Sequence, residues 1–598
     1  MRLVPALFFA FIIAAVSPAT AQTFDSTLIL YPSTLIESQT RYPLPPHRIT
    51  ESVTVITQED IERSYARNLS EVLRQFAGIF LSENGDIGSQ SLLYTTGTDP
   101  RHLKLIVDGI EINQQASGQG IANGILISAV KRIEIIRGPS SATWGSALGG
   151  LVNVIMKDAG ITAKPHGAIR AEVGENDTTH FNGEISGRKG DLRYRLNMEQ
   201  TDSDGLMDRP YHRTALDGRF TYLVTPGLEI TTFFGYTDPW NSQGYSRSHG
   251  VEVTSSQERW RIGMETEWAD SPYQVNLRLY QMNQNLGQKT ASFPDPLPDY
   301  KQNYDERTLG ATATLLYRSS NFDFLTGTEL KKKTLFHNTI DERALFGNLP
   351  LKLGRLTVVP GLRFDSHETA GDYLSPSIGI AWNFHPKAIW RFNITQGFNA
   401  PPPMMVIGEE GRFNPNLDLG HETVKSVSTE IELFPLDNLN LRWNIFYSDI
   451  EDAIDHSTET GQFINNGDLV RKGTELFINW HPQKNLTLRG GFTHSYSSPY
   501  LENYFKRQTN ATLSMDYRPS PWSFLVTGRY NKTEYIRSSS EPSEGLVWDT
   551  VISREFRWRE TLVNLYLKGE NLFSARYSLH THLPNPDRRI FGGINITF

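Results

Sequence analysis

The sequence predicts an all-β membrane protein: a large antiparallel transmembrane β-barrel preceded by a smaller α+β domain. Three observations carry this. From about residue 166 onward, segment after segment alternates apolar with strongly polar side chains at a period of two. Beyond the first residues no stretch is long and apolar enough for a spanning helix, and mean hydropathy is -0.40, which excludes a helical inner-membrane protein. The chain also opens as an exported protein does. Arg2 supplies a minimal positive region, Leu3 to Val16 an apolar run, and Ala19-Thr20-Ala21 a cleavage site before Gln22. That run is shorter than the roughly 20 residues a spanning helix needs, so residues 1–21 are expected to be a cleaved signal peptide.

The 598 residues carry a formal net charge of -8. Such a length exceeds what one soluble core requires, and the acidity gives no support for a nucleic-acid partner. There is no cysteine, so disulfides and thiol chemistry are excluded.

Residues 22–46 predict an extended linker, punctuated by Pro43, Pro45 and Pro46. Within it, Asp25, Ser26, Thr27, Leu28, Ile29 and Leu30 have the strand propensity of a segment captured by β-strand addition. Residues 47–160 predict a compact α+β domain. Val53 to Ile56 form a strand. Thr57 caps a helix with Asp60 at its third position, and Asn68 with Glu71 repeats the device. Leu69, Val72, Leu73 and Phe76 form the apolar face of this second helix, and Gly78 predicts its stop. Leu103 to Val107 and Ile133 to Ile136 are strands.

Residues 161–598 are the predicted barrel. Tyr194, Leu196 and Met198 alternate with Arg193, Arg195, Asn197 and Glu199. Tyr273, Val275, Leu277 and Leu279 alternate with Gln274, Asn276 and Arg278, and the pattern returns at Leu441 to Tyr447 and Val563 to Leu567. A charged face opposite an apolar one suits a wet lumen with lipid outside. A soluble sandwich, which would bury the apolar face, is the competing expectation.

Several motifs stand in order along this frame. Leu105 to Lys157 contains Val107-Asp108-Gly109, then Arg132 to Pro139, Trp144-Gly145 and Gly149 to Ile155. Further on come Gly397 to Pro401, Asn414 to Leu417, and Gly569 to Phe573 with Tyr577. The chain ends on Phe598, on one alternating face with Ile590, Ile594 and Ile596. This series resembles the TonB-dependent outer-membrane receptors over almost the whole chain. The resemblance implies a 22-stranded barrel in the outer membrane of a Gram-negative bacterium, with the α+β domain as a plug inside its lumen. The expected protein is a monomer in lipid that imports a scarce nutrient and is not an enzyme. Residues 166–598 suffice for 22 strands of roughly 10 residues with about 10 left per connection, and so wide a lumen needs a plug. Asp25 to Leu30 become the TonB box, with TonB and its inner-membrane energising complex as partner.

The resemblance also implies a polar lock, in which two plug arginines face two barrel glutamates. Arg137 matches one arginine and Glu475 one glutamate. Thr95-Thr96-Gly97 replaces the motif of the other arginine, and Ser428 stands where the other glutamate is expected. A single surviving Arg137–Glu475 pair is therefore expected.

No catalytic constellation emerges. His421-Glu422 lacks a second histidine at helical spacing, and Gly118-Gln119-Gly120 has Asn123 where a dinucleotide fingerprint needs glycine. No Walker loop and no G-x-S-x-G elbow occur. Asp202, Asp204 and Asp208 miss the EF-hand spacing and read as a solvated turn. Met404 and Met405 read as apolar contacts more readily than as soft metal ligands. No histidine lies between residues 402 and 413, which disfavours a haem receptor. No cofactor or resident metal is expected. Leu81 to Gln90, Gly97 to His102, Gln114 to Gln119 and Gln200 to Gly205 are similar to segments of outer-membrane cobalamin receptors. They nominate Asn84, Gly85, Asp86, Ser89, Gln90, Ser117 and Gln119 as plug-apex contacts for a large ligand met by backbone and amide groups. A corrinoid is preferred over a ferric siderophore, although residues 235–250 lack the acidic cluster of a calcium-bound loop. A passive porin or adhesin would share the barrel without a folded plug. A secreted β-rich enzyme would wrap the same strands around a dry core.

Overall fold

From residue 166 onward the long strands each pair on both sides and the ring closes, with only the hairpin Ile454–Ser457 and Gln462–Asn465 standing apart from it among the described strands. The structure is a computed structural model and describes residues 35–83, 87–88, 91–95, 97–205, 209–246, 251–292, 300–409, 412–497, 505–535, 543–575 and 587–598. The first barrel strand, His166–Gly174, is antiparallel to the last, Arg589–Thr597, so no edge is left unpaired. The ring has 22 strand positions. Asn338–Asn348 and Leu351–Leu353 both pair with Leu356–His367 and count as one strand, interrupted at Pro350, which has no N–H to give a ladder.

The alternating apolar residues point outward. Leu277, Leu345 and Leu567 are 42%, 62% and 52% exposed, while Arg195, Asn197, Glu199 and Arg213 are buried on the inner face. Trp268, Tyr273, Trp382, Trp522 and Trp558 stand exposed beside the short turns at one end. This burial is inverted relative to a soluble sandwich and is that of a barrel in lipid, aromatic girdle included. The wall is uneven. Leu228–Ser246, Val251–Asp270, Tyr273–Ser292 and Tyr300–Arg318 have 19, 20, 20 and 19 residues. The strands that follow, Asp323–Leu335, Asn338–Asn348 and Leu356–His367, have 13, 11 and 12.

The plug fills the lumen. Its strands are β1 (Val53–Thr57), β2 (Ile79–Glu83), β3 (Ser91–Thr95), β4 (Leu103–Val107), β5 (Ile110–Glu111), β6 (Val130–Arg137) and β7 (Gly150–Met156). Five of them form a sheet in the order β1-β6-β7-β4-β5, with β4 and β7 parallel, and β2 pairs with β3 apart from it. Helices α1 (Gln58–Ser64) and α2 (Leu69–Leu73) lay Ile61, Leu69 and Val72 on Ile133, Ile135, Val152 and Val154. A third, α3 (Ser141–Trp144), faces the barrel wall. The cap at Thr57 is a reciprocal box with Asp60, and Asn68 accepts the Glu71 N–H.

Two expectations need correction. Gly78 does not stop α2, which ends at Leu73. Gly78 sits at φ 86 because the Arg137 guanidinium occupies the space a Cβ would take. The described part of the linker, residues 35–46, is folded and not extended. Ile36 bridges to Leu44 across a turn, and Ile36, Tyr42 and Leu44 bury against Trp144, Leu325 and Phe346. The burial of Ile36, Tyr42 and Leu44, at about 25 cal/mol per Å², outweighs the extended preference of the prolines beside them. The expected signal peptide and TonB box lie outside the described residues.

Leu277 faces lipid in the lower half of the wall. Leu277→Arg is expected to destabilise the barrel by about 2–4 kcal/mol, read by urea unfolding in lipid vesicles. The same change on a soluble surface would fall within about 0.5 kcal/mol.

Candidate functional site

Arg137, the last residue of β6, reaches the wall. Its Nε lies 3.4 Å from Glu475 Oε1, its Nη2 donates to Thr54 Oγ1 at 2.8 Å and Ala77 O at 3.1 Å, and the guanidinium stands 4.6 Å over the Phe477 ring. Asn444 Nδ2 donates to Glu475 Oε2 at 2.9 Å. Burial pulls the Arg137 guanidinium below its ordinary value, with Glu475 opposing the shift.

The expected loss at Ser428 is corrected by its neighbour. Two residues along the same inner face, Glu430 accepts from Ser52 Oγ at 2.6 Å and from Arg391 Nη1 at 2.8 Å. The wall therefore keeps a second carboxylate and neutralises it with a barrel arginine. Thr95 Oγ1 donates to Gly149 O at 2.8 Å, and Thr96 lies outside the described residues.

A larger charge cluster escaped sequence reasoning. Arg67, between α1 and α2, donates through Nε to Glu71 Oε1 at 2.8 Å and through Nη2 to Glu570. Its Nη1 lies 3.5 Å from Glu172 Oε1, and the guanidinium sits 4.1 Å over the Phe591 ring. Lys568 Nζ donates to Glu71 Oε2 at 2.7 Å, and Arg589 Nη2 to Glu570 Oε2 at 2.7 Å. Burial pushes the Glu71 carboxyl up, but Arg67, Lys568 and Arg74 overcome it and hold it well below the usual carboxylate range. In the sequence Arg67 and Glu71 read as an ordinary i,i+4 surface pair, and nothing links Arg67 to a glutamate 503 positions away.

The plug apex is a turn pinned to the wall. The Gln115 and Ala116 N–H groups donate to Glu306 at 2.9 and 2.8 Å, and Ser117 Oγ donates to Gln114 Oε1 at 2.8 Å. Ser117 and Gln119 are half-buried under an inward-folded loop. Pro402 lies 2.7 Å from where a Cβ on Gly118 would stand, and the short helix Pro403–Ile407 packs Met404 on Ala116, Tyr304 and Leu335. Arg101 Nη1 approaches the Met405 sulfur at 3.6 Å. Both methionines thus serve as contacts over the apex. Glu422 ties the loops together: His102 Nε2 stands 2.9 Å from its Oε2, and Asn399 Nδ2 and the Ile454 N–H donate to it at 2.9 Å each. Asn84, Gly85, Asp86, Ser89 and Gln90 lie outside the described residues, as does Asp208. Among the described residues no group of three His, Asp or Glu is placed to hold a metal ion. The inner wall instead carries buried neutral groups. Gln257, Ser497, Gln508, Asn510 and Thr533 each have a side-chain polar atom without a hydrogen-bond partner.

In the N-terminal strap, three hydrogen bonds converge on one carboxylate oxygen. The Glu37 and Ser38 N–H groups and Ser38 Oγ all donate to Glu134 Oε2, at 3.0, 2.9 and 2.6 Å. Trp144 Nε1 donates to Ser38 O at 2.5 Å, and Arg41 lies 4.2 and 4.1 Å from the Trp144 and Phe346 rings.

Arg67→Met would take the shared cation from three buried carboxylates, leaving Lys568, Arg589 and Arg170 as their partners, and is expected to cost about 3–5 kcal/mol, seen as a lower plug unfolding midpoint with the barrel transition unchanged. Because Glu71 is depressed in the folded state, its contribution is fully present above about pH 4.3 and is lost as pH falls below it. The wild-type plug midpoint should fall on acidification, and that of Glu71→Gln should fall less.

Two family descriptions match this chain: "TonB dependent receptor-like, beta-barrel" over residues 172–582 and "TonB-dependent Receptor Plug Domain" over residues 45–151. Solved structures share the architecture. The siderophore receptor PirA from Acinetobacter baumannii is 18% identical, covers 91% of this chain and 98% of its own, and superposes with a TM-score of 0.76. A mutant of the ferric enterobactin receptor PfeA from Pseudomonas aeruginosa, in complex with enterobactin, gives 17%, 92%, 100% and 0.76. The ferric-catecholate import receptor Fiu from E. coli K12 gives 15%, 95%, 99% and 0.76. At such identities the likeness is one of fold. With one description matching most of the barrel and another matching the domain inside it, the chain belongs to the TonB-dependent receptors, plugged outer-membrane β-barrels that import their ligands.

Proposed function

We propose that this receptor imports a large, weakly charged metal chelate, a corrinoid in the first place, under the action of TonB. The observation that supports the ligand class is the chemistry of the inner wall. Its unpartnered polar atoms include amides and hydroxyls at Gln257, Ser497, Gln508, Asn510 and Thr533, beside single nitrogens of arginines such as Arg259 and Arg261 whose other nitrogens are bonded to the protein. Its cations are committed to protein partners: Arg213 to Glu199, Arg259 Nε to Gln284 at 2.6 Å, Lys331 to Glu111 at 3.0 Å and Lys333 to Glu342 at 2.8 Å. A ligand bearing neutral amides on its periphery matches such a wall. A polyanionic catecholate complex needs cations that are free to pair with it. The second reading, a ferric siderophore, is favoured by the similar structures, whose titles name siderophore and ferric-catecholate receptors.

In this reading Ser117 and Gln119 meet the ligand together with Asn84, Gly85, Asp86, Ser89 and Gln90. Pro402 and the helix Pro403–Ile407 must move for the ligand to reach Ser117 and Gln119. Asp25 to Leu30 present a strand for TonB to capture. The strap then delivers the pull to Glu134 on β6, which lies between β1 and β7 in the plug sheet. Arg137–Glu475 and the Arg67 cluster hold the plug closed until that pull arrives.

Calorimetric titration of the detergent-purified protein with cyanocobalamin is expected to saturate with a Kd below about 1 µM, equivalent to about -8.2 kcal/mol. Silence toward cyanocobalamin with heat from a ferric catecholate would transfer the ligand to the second reading. Deleting residues 25–30 should abolish uptake and leave binding unchanged. High-affinity uptake by the deletion would overturn the role given to TonB.

A further inference from the structure

The acid that fastens the strap of residues 35–46 does so with a borrowed cation. Glu134 Oε2 accepts the Glu37 N–H, the Ser38 N–H and the Ser38 hydroxyl, at 3.0, 2.9 and 2.6 Å. Its other oxygen, Oε1, accepts from Arg132 Nε at 2.7 Å. Hydrogen bonds to a charged acceptor are roughly twice as strong as neutral ones, so the fastening depends on Glu134 keeping both its charge and its partner.

A second carboxylate stands at the same cation. Arg132 Nη2 lies 3.4 Å from Glu37 Oε2. One guanidinium on β6 thus serves two carboxylates, one from the strap and one from the plug. Because the Glu37 N–H donates to Glu134, the fastening itself holds the two acidic side chains close to each other.

The charges around the pair do not relieve it. Asp108, at the turn after β4, faces Glu37 and adds a third negative charge. It is paired with Arg219, accepts the Met156 N–H at 2.9 Å and has Arg261 at 4.0 Å. Arg278, on the strand Tyr273–Ser292, is the second cation facing Glu37, and its Nη2 lies 3.0 Å from Glu265. Within the strap, Arg41 turns to Thr143 O at 3.0 Å and to Glu329 at 3.4 Å. Beside Arg132, Lys131 pairs with Asp158 at 2.5 Å. Among the described residues Arg132 is therefore the one cation within 4.0 Å of the Glu37 carboxylate.

Burial first and Glu134 second push the Glu37 carboxyl up to about 7, with Arg132 opposing the shift. The side chain is 31% exposed, so its proton exchanges with solvent. In a released strap the group returns to its ordinary value of 4.5. Docking is then strongest in acid, where Glu37 carries its proton in both states. It weakens as pH rises from 4.5 to about 7, because the ionised Glu37 competes for Arg132 and repels the carboxylate that holds the strap.

We propose that the strap is a proton-controlled latch: protonated Glu37 leaves it fastened to Glu134, and ionised Glu37 lets it go, freeing Asp25 to Leu30 for capture. The latch withholds the receptor from TonB in acid and offers it near neutrality. Its consequence for transport rests on the reading of Asp25 to Leu30 as the segment TonB takes.

Spin labelling of the full-length protein in lipid vesicles tests the latch. The chain has no cysteine, so Leu35→Cys, at a position 46% exposed, carries the only nitroxide. The immobilised fraction of its spectrum reads the docked strap. From about pH 5 to about pH 7.5 the docked-to-released ratio is expected to fall about tenfold, the worth of one pKa unit. Glu37→Gln, read through the same label, is expected to stay docked over the whole range. TonB takes no part in this readout, so failure of the latch and failure of the role given to Asp25 to Leu30 are distinguishable. A ratio that ignores pH or rises with it, the same pH dependence in Glu37→Gln, or a strap released at every pH in both proteins would each overturn the proposal.

Discussion

Lipid offers no hydrogen-bond partner to a backbone N–H or C=O, and the architecture follows from that one constraint. A sheet in the membrane has to close, and here the last strand, Arg589–Thr597, finds the first, His166–Gly174. Closing 22 strands makes a lumen too wide for the wall side chains to fill. The α+β domain occupies that space. Its surface must then match a wall whose inward face is charged, because the apolar half of every alternating strand is already committed to lipid.

That commitment sets the character of the plug interface. A conventional domain interface would be sealed with apolar groups, but this one is sealed largely with ions. Arg67 meets Glu71, Glu172 and Glu570, and Arg137 meets Glu475. Removing one partner of a buried pair is costly, whereas letting water in to both partners costs far less. Such an interface is firm while intact and reversible once wetted, which suits a plug that must give way and return. The exception is the strap, where Ile36, Tyr42 and Leu44 bury with Trp144 and Phe346. There residues 35–46 are held by apolar contact and by the three hydrogen bonds to Glu134.

The parts of the fold that depend on neighbours in sequence were legible. Period-two alternation specified both the strands and which face meets lipid. The caps at Thr57 and Asn68 were readable because their partners, Asp60 and Glu71, lie three residues on. The errors share a cause. Gly78 looked like a helix stop because helix stops favour glycine, yet the group that requires it is the guanidinium of Arg137. Three prolines suggested an extended linker, but the apolar residues among them had a buried surface to join. Ser428 looked like a lost charge because a motif fixes spacing only approximately, and Glu430 lay within reach of Ser52 and Arg391.

The sequence by itself determined what local rules govern: the alternating wall, the order of plug and barrel, and the family these motifs mark. Of the candidate site it nominated Arg137 with Glu475, which lie 3.4 Å apart, and Ser117 and Gln119 for the apex. Only the tertiary structure decided what faces what. Arg67 with Glu570, His102 with Glu422 and Pro402 over Gly118 all join residues from strands and loops remote in sequence. The physical reason is the closure itself. Bending 22 strands into a ring brings distant side chains onto one inner or outer surface, and no periodicity along the chain records which of them become neighbours.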